Sequence, residues 1–203
     1  MFDYGAGNGT IARNGVCDMC HIEAQPYWRD AKTLPPVTGN DFSGDGNAVA
    51  RWSLDNGFLT ADSIGGNTLT DFNTVGTDTV DFMEGDQSAD FETSNTESLS
   101  ILDSVLDSGF PLKSGESNDD FSVTFLFKSE SLAQGRGIVN KWDIGNARSW
   151  MIMNNNGTLE FYIGYNYGAG YELLDNSLST SVGRWYHVGA TFNNTTKAWK
   201  LRV

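Results

Sequence analysis

The stretch Phe121–Phe127 reads Phe-Ser-Val-Thr-Phe-Leu-Phe, and it decides the class of fold that the chain adopts. Its four odd-numbered residues, all Phe or Val, fall on one face of an extended segment, while Ser122 and Thr124 fall on the other. This alternation predicts a β-strand with one face turned to a core.

The sequence on either side of this stretch predicts further short strands. Trp150–Met153 and Leu159–Ile163 flank Asn154–Gly157, whose Asn-Gly pair tolerates positive φ and favours a β-hairpin. Ser98–Leu106 fits a strand that runs into a loop. The other predicted strands are Ala48–Leu54, Thr79–Met83, Ala89–Glu92, Trp185–Phe192 and a strand from Ala198 onward. On these phases we expect five large aromatic residues in the core: Trp52, Phe125, Trp150, Phe161 and Trp185.

Composition and charge narrow the range of functions. The 203 residues include 26 acidic and 13 basic side chains, which gives a net charge of −13. An acidic surface repels the phosphate backbone, so a nucleic-acid partner is not expected. The sequence has no apolar run long enough to predict a membrane span. The acidity fits either the solubility of an exported protein or a calcium site.

Six segments, in order, resemble the laminin-G/pentraxin-like domains of the concanavalin A-like superfamily. They are Trp52–Asp55, Asp62–Asn67, Phe121–Phe127, Ile138–Trp142, Gly157–Leu159 and Gly183–Val188. The resemblance covers residues 48–203 and implies an all-β, two-sheet antiparallel jelly-roll sandwich, preceded by an irregular N-terminal arm at residues 1–47. Members of this family continue past the strand near Lys200 to a closing strand. We therefore expect that the sequence is a fragment or that another chain supplies that strand.

The resemblance also implies binding of glycans, proteins or sulfated polymers, often beside Ca²⁺. Asp55 and Asp62 are the candidate calcium ligands; the alternative is that they cap turns through hydrogen bonds to the backbone. The glycosidases of the superfamily carry close pairs of Glu on one strand, and this sequence has no such pair. We therefore expect a binding protein and not an enzyme.

The sandwich segment contains two further candidate sites, a group of tyrosines around a Gly-rich loop and a single histidine. Tyr165, Tyr167 and Tyr171, with Tyr162, surround a Gly-rich loop and predict a sugar-stacking platform, with loop packing as the alternative. His187 lies in a predicted strand, where a hydrogen-bonded structural role is expected rather than a catalytic one.

The arm contains both cysteines of the chain, in the pattern Cys17-Asp18-Met19-Cys20-His21. Two thiols at this spacing followed by His are typical of covalent c-type haem attachment. The surrounding residues also resemble the haem motifs of extracellular multihaem cytochromes. A small disulfide-type or redox clasp, a zinc site shared between subunits and free thiols are the alternatives.

Taken together, these patterns predict an extracellular or surface structural and recognition protein. Cys17 and Cys20 would hold haem c and His21 would ligate its iron, and copies of the chain would form an electron-transfer filament. The alternative is a haem-free adhesion module that binds glycans or proteins, such as a virion surface or fibre protein. The N-terminus lacks the basic and apolar regions of a signal peptide. We therefore expect either a mature form or another route out of the cell.

Overall fold

A computed structural model gives the protein an all-β, antiparallel architecture. It describes residues 45–55, 57–116, 120–132, 135–142, 148–165 and 170–203, with the backbone alone at Tyr165. The chain divides into two units, residues 1–39 and 40–203, and every described residue lies in the second. Cys17, Cys20, His21 and Tyr167 lie outside the described residues.

The described residues form eleven strands. These are β1 (Thr70–Phe72), β2 (Gly76–Asp78), β3 (Ser88–Asp90), β4 (Ser98–Ser100), β5 (Phe121–Lys128), β6 (Arg136–Lys141), β7 (Trp150–Asn155), β8 (Thr158–Tyr165), β9 (Gly170–Ser179), β10 (Trp185–Asn193) and β11 (Ala198–Arg202). They make a four-stranded sheet in the order β9-β8-β7-β6, a three-stranded sheet in the order β11-β10-β5, and two small two-stranded sheets, β1-β4 and β2-β3.

The two larger sheets share one hydrophobic core, which makes the arrangement β-sandwich-like. The Phe121 ring of β5 stacks on Trp150 of β7 with 5.0 Å between centroids, and it meets Phe161 of β8 edge-on at 6.3 Å. Ile152, Leu159, Phe161 and Val188 are fully buried in the same cluster. The alternation predicted for Phe121–Phe127 is confirmed, because its odd-numbered residues belong to the core or pack against it.

The predicted hairpin is also confirmed. β7 and β8 pair antiparallel from Trp150 opposite Ile163 to Asn155 opposite Thr158. Asn156 and Gly157 form the turn with φ values of 51° and 86°. Positive φ at both central residues gives the turn the twist that the flanking strands need.

The predicted position between the sheets holds for Trp150 and Phe161 but is wrong for Trp185, which is half-buried on the opposite face. In β10 the buried residues are Val188, Ala190 and Phe192, so Trp185 lies on the outer face of the sheet. There its Nε1 donates a 2.7 Å hydrogen bond to Asp81, which also pairs with Lys128. The cross-strand register causes this phase, because Phe192 pairs with core residue Phe121. Trp52 and Phe125 are half-buried.

Two predicted strands differ in extent from the observed structure. Ala48–Leu54 contributes a single bridge, Trp52 to Asp62, since Leu54 takes a positive φ of 56° that ends the extended segment. The strand predicted at Thr79–Met83 is observed earlier, as β2. Its end follows from Asp78, whose Oδ1 accepts hydrogen bonds from the backbone N–H groups of Val80 and Asp81 and turns the chain.

The edge strand β9 was not predicted. Its residues are mainly polar, with Asp175, Asn176 and Ser177 in the middle, a composition that is typical of turns. Its pairing with β8 shifts register between Leu173 and Asp175 and again between Asp175 and Leu178. Each irregularity interrupts the alternation of side chains between the two faces of the strand. The sequence therefore lacks the period of two by which a strand is recognised.

A network of polar side chains, which we call the Asp62 clasp, holds the beginning of the described chain. Asp62 accepts hydrogen bonds from the backbone N–H groups of Arg51 and Ile64 at 2.9 Å and from Asn67 Nδ2 at 2.8 Å. The fully buried Asn67 also donates to Asp107 Oδ2 at 3.1 Å and accepts from the Asp107 N–H. The clasp therefore joins segments that are 40 residues apart in sequence.

Gly65 leaves room for the same network. A Cβ at this position would lie 2.6 Å from Asp107 Oδ2 and 3.0 Å from Asp62 Oδ2. A side chain at this position would therefore push the Asp107 carboxylate away from its present position, whereas glycine lets the two carboxylates converge on the turn. The Asp-Ser-x-Gly pattern of the sequence thus has a direct structural cause.

The first prediction concerns the shared core. Phe161→Ala is expected to lower the free energy of unfolding by about 3–5 kcal/mol, because a fully buried ring is replaced by a cavity. Phe58→Ala, at a side chain that is 59% exposed, is the matched control and is expected to change it by less than about 0.5 kcal/mol. Urea unfolding followed by circular dichroism measures both, and equal losses would contradict the assigned core.

The second prediction concerns acid sensitivity. Partial burial raises the pKa of Asp62, but the hydrogen bonds from Arg51, Ile64 and Asn67 outweigh this effect and the pKa lies below its usual value. The clasp is therefore complete above the unfolded pKa of about 3.9, and its stabilisation is lost as the pH falls through the lower folded pKa. Asp62→Asn is expected to cost about 1–3 kcal/mol at neutral pH.

The same substitution is expected to flatten the dependence of unfolding free energy on pH in the acid range. Asp86→Asn removes an equal charge from an exposed turn and serves as the control. Urea unfolding at a series of pH values gives the comparison. A slope that is unchanged in Asp62→Asn would show that this carboxylate does not carry the acid sensitivity.

Candidate functional site

Three aromatic side chains meet on the outer face of the four-stranded sheet; we call them the aromatic cluster. Trp142 directly follows β6, Tyr162 lies in β8 and Tyr171 lies in β9. The Trp142 and Tyr171 rings are 5.5 Å apart between centroids, and Tyr162 lies 5.8 Å from Tyr171 and 6.3 Å from Trp142. The interplanar angles of 63° to 69° are those of edge-to-face packing.

The alternation of β8 explains why this cluster faces outward. Leu159, Phe161 and Ile163 are buried in the core, so the even-numbered residues Glu160 and Tyr162 lie on the opposite face. Across the sheet, Tyr162 pairs with Met151 on β7 and Leu173 on β9. Tyr171 is 53% exposed and Leu173 is 39% exposed, so this end of the cluster is open to solvent.

A cation lies over the same rings. The Arg148 guanidinium carbon is 5.4 Å from the Tyr171 ring centroid and 5.8 Å from that of Trp142. Gly164 makes this placement possible, because a Cβ there would lie 2.2 Å from the Arg148 carbonyl oxygen. The distances are within the range of cation–π attraction.

Glu160 supplies a carboxylate one pleat away from the rings. Its Oε2 accepts a 2.7 Å hydrogen bond from the Tyr162 hydroxyl, and its Oε1 accepts a 3.1 Å bond from Asn155 Nδ2. Glu160 is 8% exposed. Burial of Tyr162, its hydrogen bond to Glu160 and the charge of that carboxylate raise the pKa of Tyr162 to about 12, so its hydroxyl remains a donor at neutral pH.

The structure brings one of the three predicted tyrosines into this cluster, together with Tyr162. Tyr171 is a member, whereas of Tyr165 only the backbone, in β8, is described and Tyr167 lies outside the described residues. Sequence reasoning missed Trp142, Arg148 and Glu160. The alternation of β8 was sufficient to place Glu160 beside Tyr162, but no pattern connects Trp142 to a strand that begins 28 residues later.

The two predicted calcium ligands, Asp55 and Asp62, each accept hydrogen bonds from backbone N–H groups, and the two sets of donors differ. Asp55 Oδ1 accepts hydrogen bonds of 3.2 Å from the N–H groups of Asp86 and Gln87. Asp62 is satisfied within its clasp, where Asn67 Nδ2 occupies the space beside its Oδ2. The orientation of that amide is fixed because its oxygen accepts from the Asp107 N–H. This geometry favours the turn-capping alternative for both residues.

Another group of carboxylates was not recognised from the sequence. Asp90, Glu92 and Glu130 each place an oxygen within 4.8 Å of the others. Glu92 and Glu130 are exposed. Groups of this kind are common on acidic surfaces, so we assign no ligand to them.

His187 makes the hydrogen bond that the sequence predicts for it. Its Nε2 lies 2.7 Å from Thr124 Oγ1, on the outer face of the three-stranded sheet. The chain has two histidines, and the other is His21.

Comparison with protein-family models, with curated proteins and with solved structures gives no match to this chain. Within the described residues, the structure also contains no helix with the length and apolar character that a membrane crossing requires. The interpretation of the site therefore rests on its own geometry.

Proposed function

We propose that this protein is a non-enzymatic recognition module of the laminin-G-like jelly-roll type that binds glycans outside the cell. The aromatic cluster is the observation that carries the proposal. It joins ring surface to hydrogen-bonding groups on an outer sheet face, and Tyr171 is open to solvent. A pyranose ring offers apolar C–H faces for the aromatic rings and hydroxyl groups for polar neighbours.

The polar groups beside the rings suit such a ligand. Glu160 and Asn155 are already oriented by a hydrogen bond to each other. A site whose polar groups are held in place loses less conformational freedom when it binds a ligand. Side chains on strands are also positioned more rigidly than side chains on loops.

Binding without turnover is proposed because glycoside hydrolysis uses two carboxyl groups on either side of the scissile bond. The hydrogen bonds of the aromatic cluster include one carboxylate, that of Glu160. Within the described residues, no other carboxylate accepts a hydrogen bond from the three rings.

We propose a second function, electron transfer, from the cysteine motif. Cys17 and Cys20 would form the two thioether bonds of haem c, and His21 would ligate the iron. Haem would supply one-electron redox chemistry, and copies of the chain in an extracellular filament would carry electrons between them. The donor set fits this cofactor, because a disulfide or zinc site does not require His directly after the second Cys.

The third prediction tests glycan recognition. Tyr171→Ala is expected to weaken binding to an oligosaccharide found on a glycan array by about threefold to tenfold, because an exposed stacking ring is lost. Phe72→Ala is the control, since Phe72 is 49% exposed on β1 of a separate two-stranded sheet. Isothermal titration calorimetry gives the affinities. Equal affinities in the two variants would place the binding site away from the aromatic cluster, and an array without any bound glycan would overturn the proposal.

The fourth prediction concerns the cysteine motif. Intact-mass spectrometry of the natively produced protein is expected to show the added mass of one haem, which is absent from Cys17→Ala/Cys20→Ala. A Soret absorption band is expected to disappear with it. Unmodified thiols or bound zinc in the native protein would exclude haem and leave glycan recognition as the proposed function.

A further inference from the structure

Glu160 is a buried carboxylate that has neutral hydrogen-bond partners. Its two oxygens accept from Tyr162 and Asn155, neither of which carries a positive charge. No ion pair within the described residues includes Glu160. A buried charge without a counter-charge is costly, so a cation that approaches this position gains more than it would at an exposed carboxylate.

The neighbouring rings favour the same kind of ligand. The faces of Trp and Tyr rings are negative and attract cations that approach within about 6 Å. Arg148 already shows this attraction, because its guanidinium lies within that range of both Trp142 and Tyr171. The rings and the carboxylate are continuous, since Tyr162 contacts both.

The whole chain adds to this preference. With a net charge of −13 it concentrates cations near its surface and repels anionic polymers. Along β8, Glu160 and Tyr162 are separated by one pleat, or about 7 Å. A charged group and an adjoining ring of one extended ligand would therefore reach Glu160 and the aromatic cluster together.

We propose that the glycan bound at this face is an amino sugar polymer whose free amino groups are protonated. Its ammonium groups would neutralise Glu160 and contact the faces of the aromatic cluster, while its pyranose rings pack on Tyr171. This inference rests on the proposed glycan recognition and specifies its ligand. Arg148 would compete with the ligand for the rings.

The test compares oligosaccharides that share one linkage and differ at a single position. Oligomers of glucosamine, N-acetylglucosamine and glucose are titrated against the full chain by calorimetry at neutral and mildly acidic pH. The glucosamine oligomer is expected to bind at least about tenfold more tightly than both neutral oligomers. High salt is expected to reduce this difference, since the discrimination is electrostatic.

Three variants assign the effect to residues. Glu160→Gln retains an acceptor for Tyr162 and is expected to bring the affinity for the glucosamine oligomer to within about twofold of the affinities that the same variant has for the neutral oligomers. Arg148→Ala is expected to strengthen glucosamine binding, because the resident cation is gone. Phe72→Ala is the control that should change neither the discrimination nor the glucosamine affinity. Circular dichroism and urea unfolding of each variant confirm that it is folded.

The outcomes separate the two proposals. Equal binding of all three oligomers would overturn the preference for amino sugars and leave glycan recognition in place. Tight binding of a uronic acid oligomer that is lost in Arg148→Ala would show that the ligand is anionic and would also overturn the inference. If none of these oligomers and no glycan on an array binds, both proposals fail.

Discussion

The packing of Phe121 against Trp150 and Phe161 is the contact on which the rest of the structure depends. It joins the two larger sheets and fixes which face of β5 is the core face. The cross-strand register also sets the core face of β10, because Phe192 pairs with Phe121. In β8 the same core takes the odd-numbered residues, so the even-numbered ones lie outside. The outward position of Tyr162 and Glu160 is thus a consequence of core packing, since a slip of one residue would exchange the two faces.

The acidic character of the chain has a structural use as well. Asp55, Asp62 and Asp78 each accept hydrogen bonds from backbone N–H groups where the chain turns. Asp120 does the same for the turn after β10, where it accepts from the N–H of Asn194. These carboxylates replace the ladder hydrogen bonds that short strands cannot supply. Part of the negative charge therefore serves to satisfy backbone N–H groups where the chain turns.

The sequence predicts the regular part of the fold well and the site only in part. The period of two in Phe121–Phe127 and the Asn-Gly turn are local signals, and both correspond to observed elements. Trp185 shows the limit of local reasoning. Its size favours the core, but a partner strand decides its face, and an Asp81 carboxylate 104 residues away satisfies its indole N–H. Trp142 and Arg148 reach the aromatic cluster through the order of strands in the sheet, which a single sequence does not reveal.

The two register shifts in β9 affect whether another strand could add to this edge of the four-stranded sheet. A regular edge strand offers an unbroken row of N–H and C=O groups to which another strand can add. In β9 this row is interrupted on either side of Asp175, and the bulges increase the local twist. A neighbouring chain that extended the four-stranded sheet here would lose hydrogen bonds at both interruptions. Growth of a continuous intermolecular sheet through this edge is therefore disfavoured.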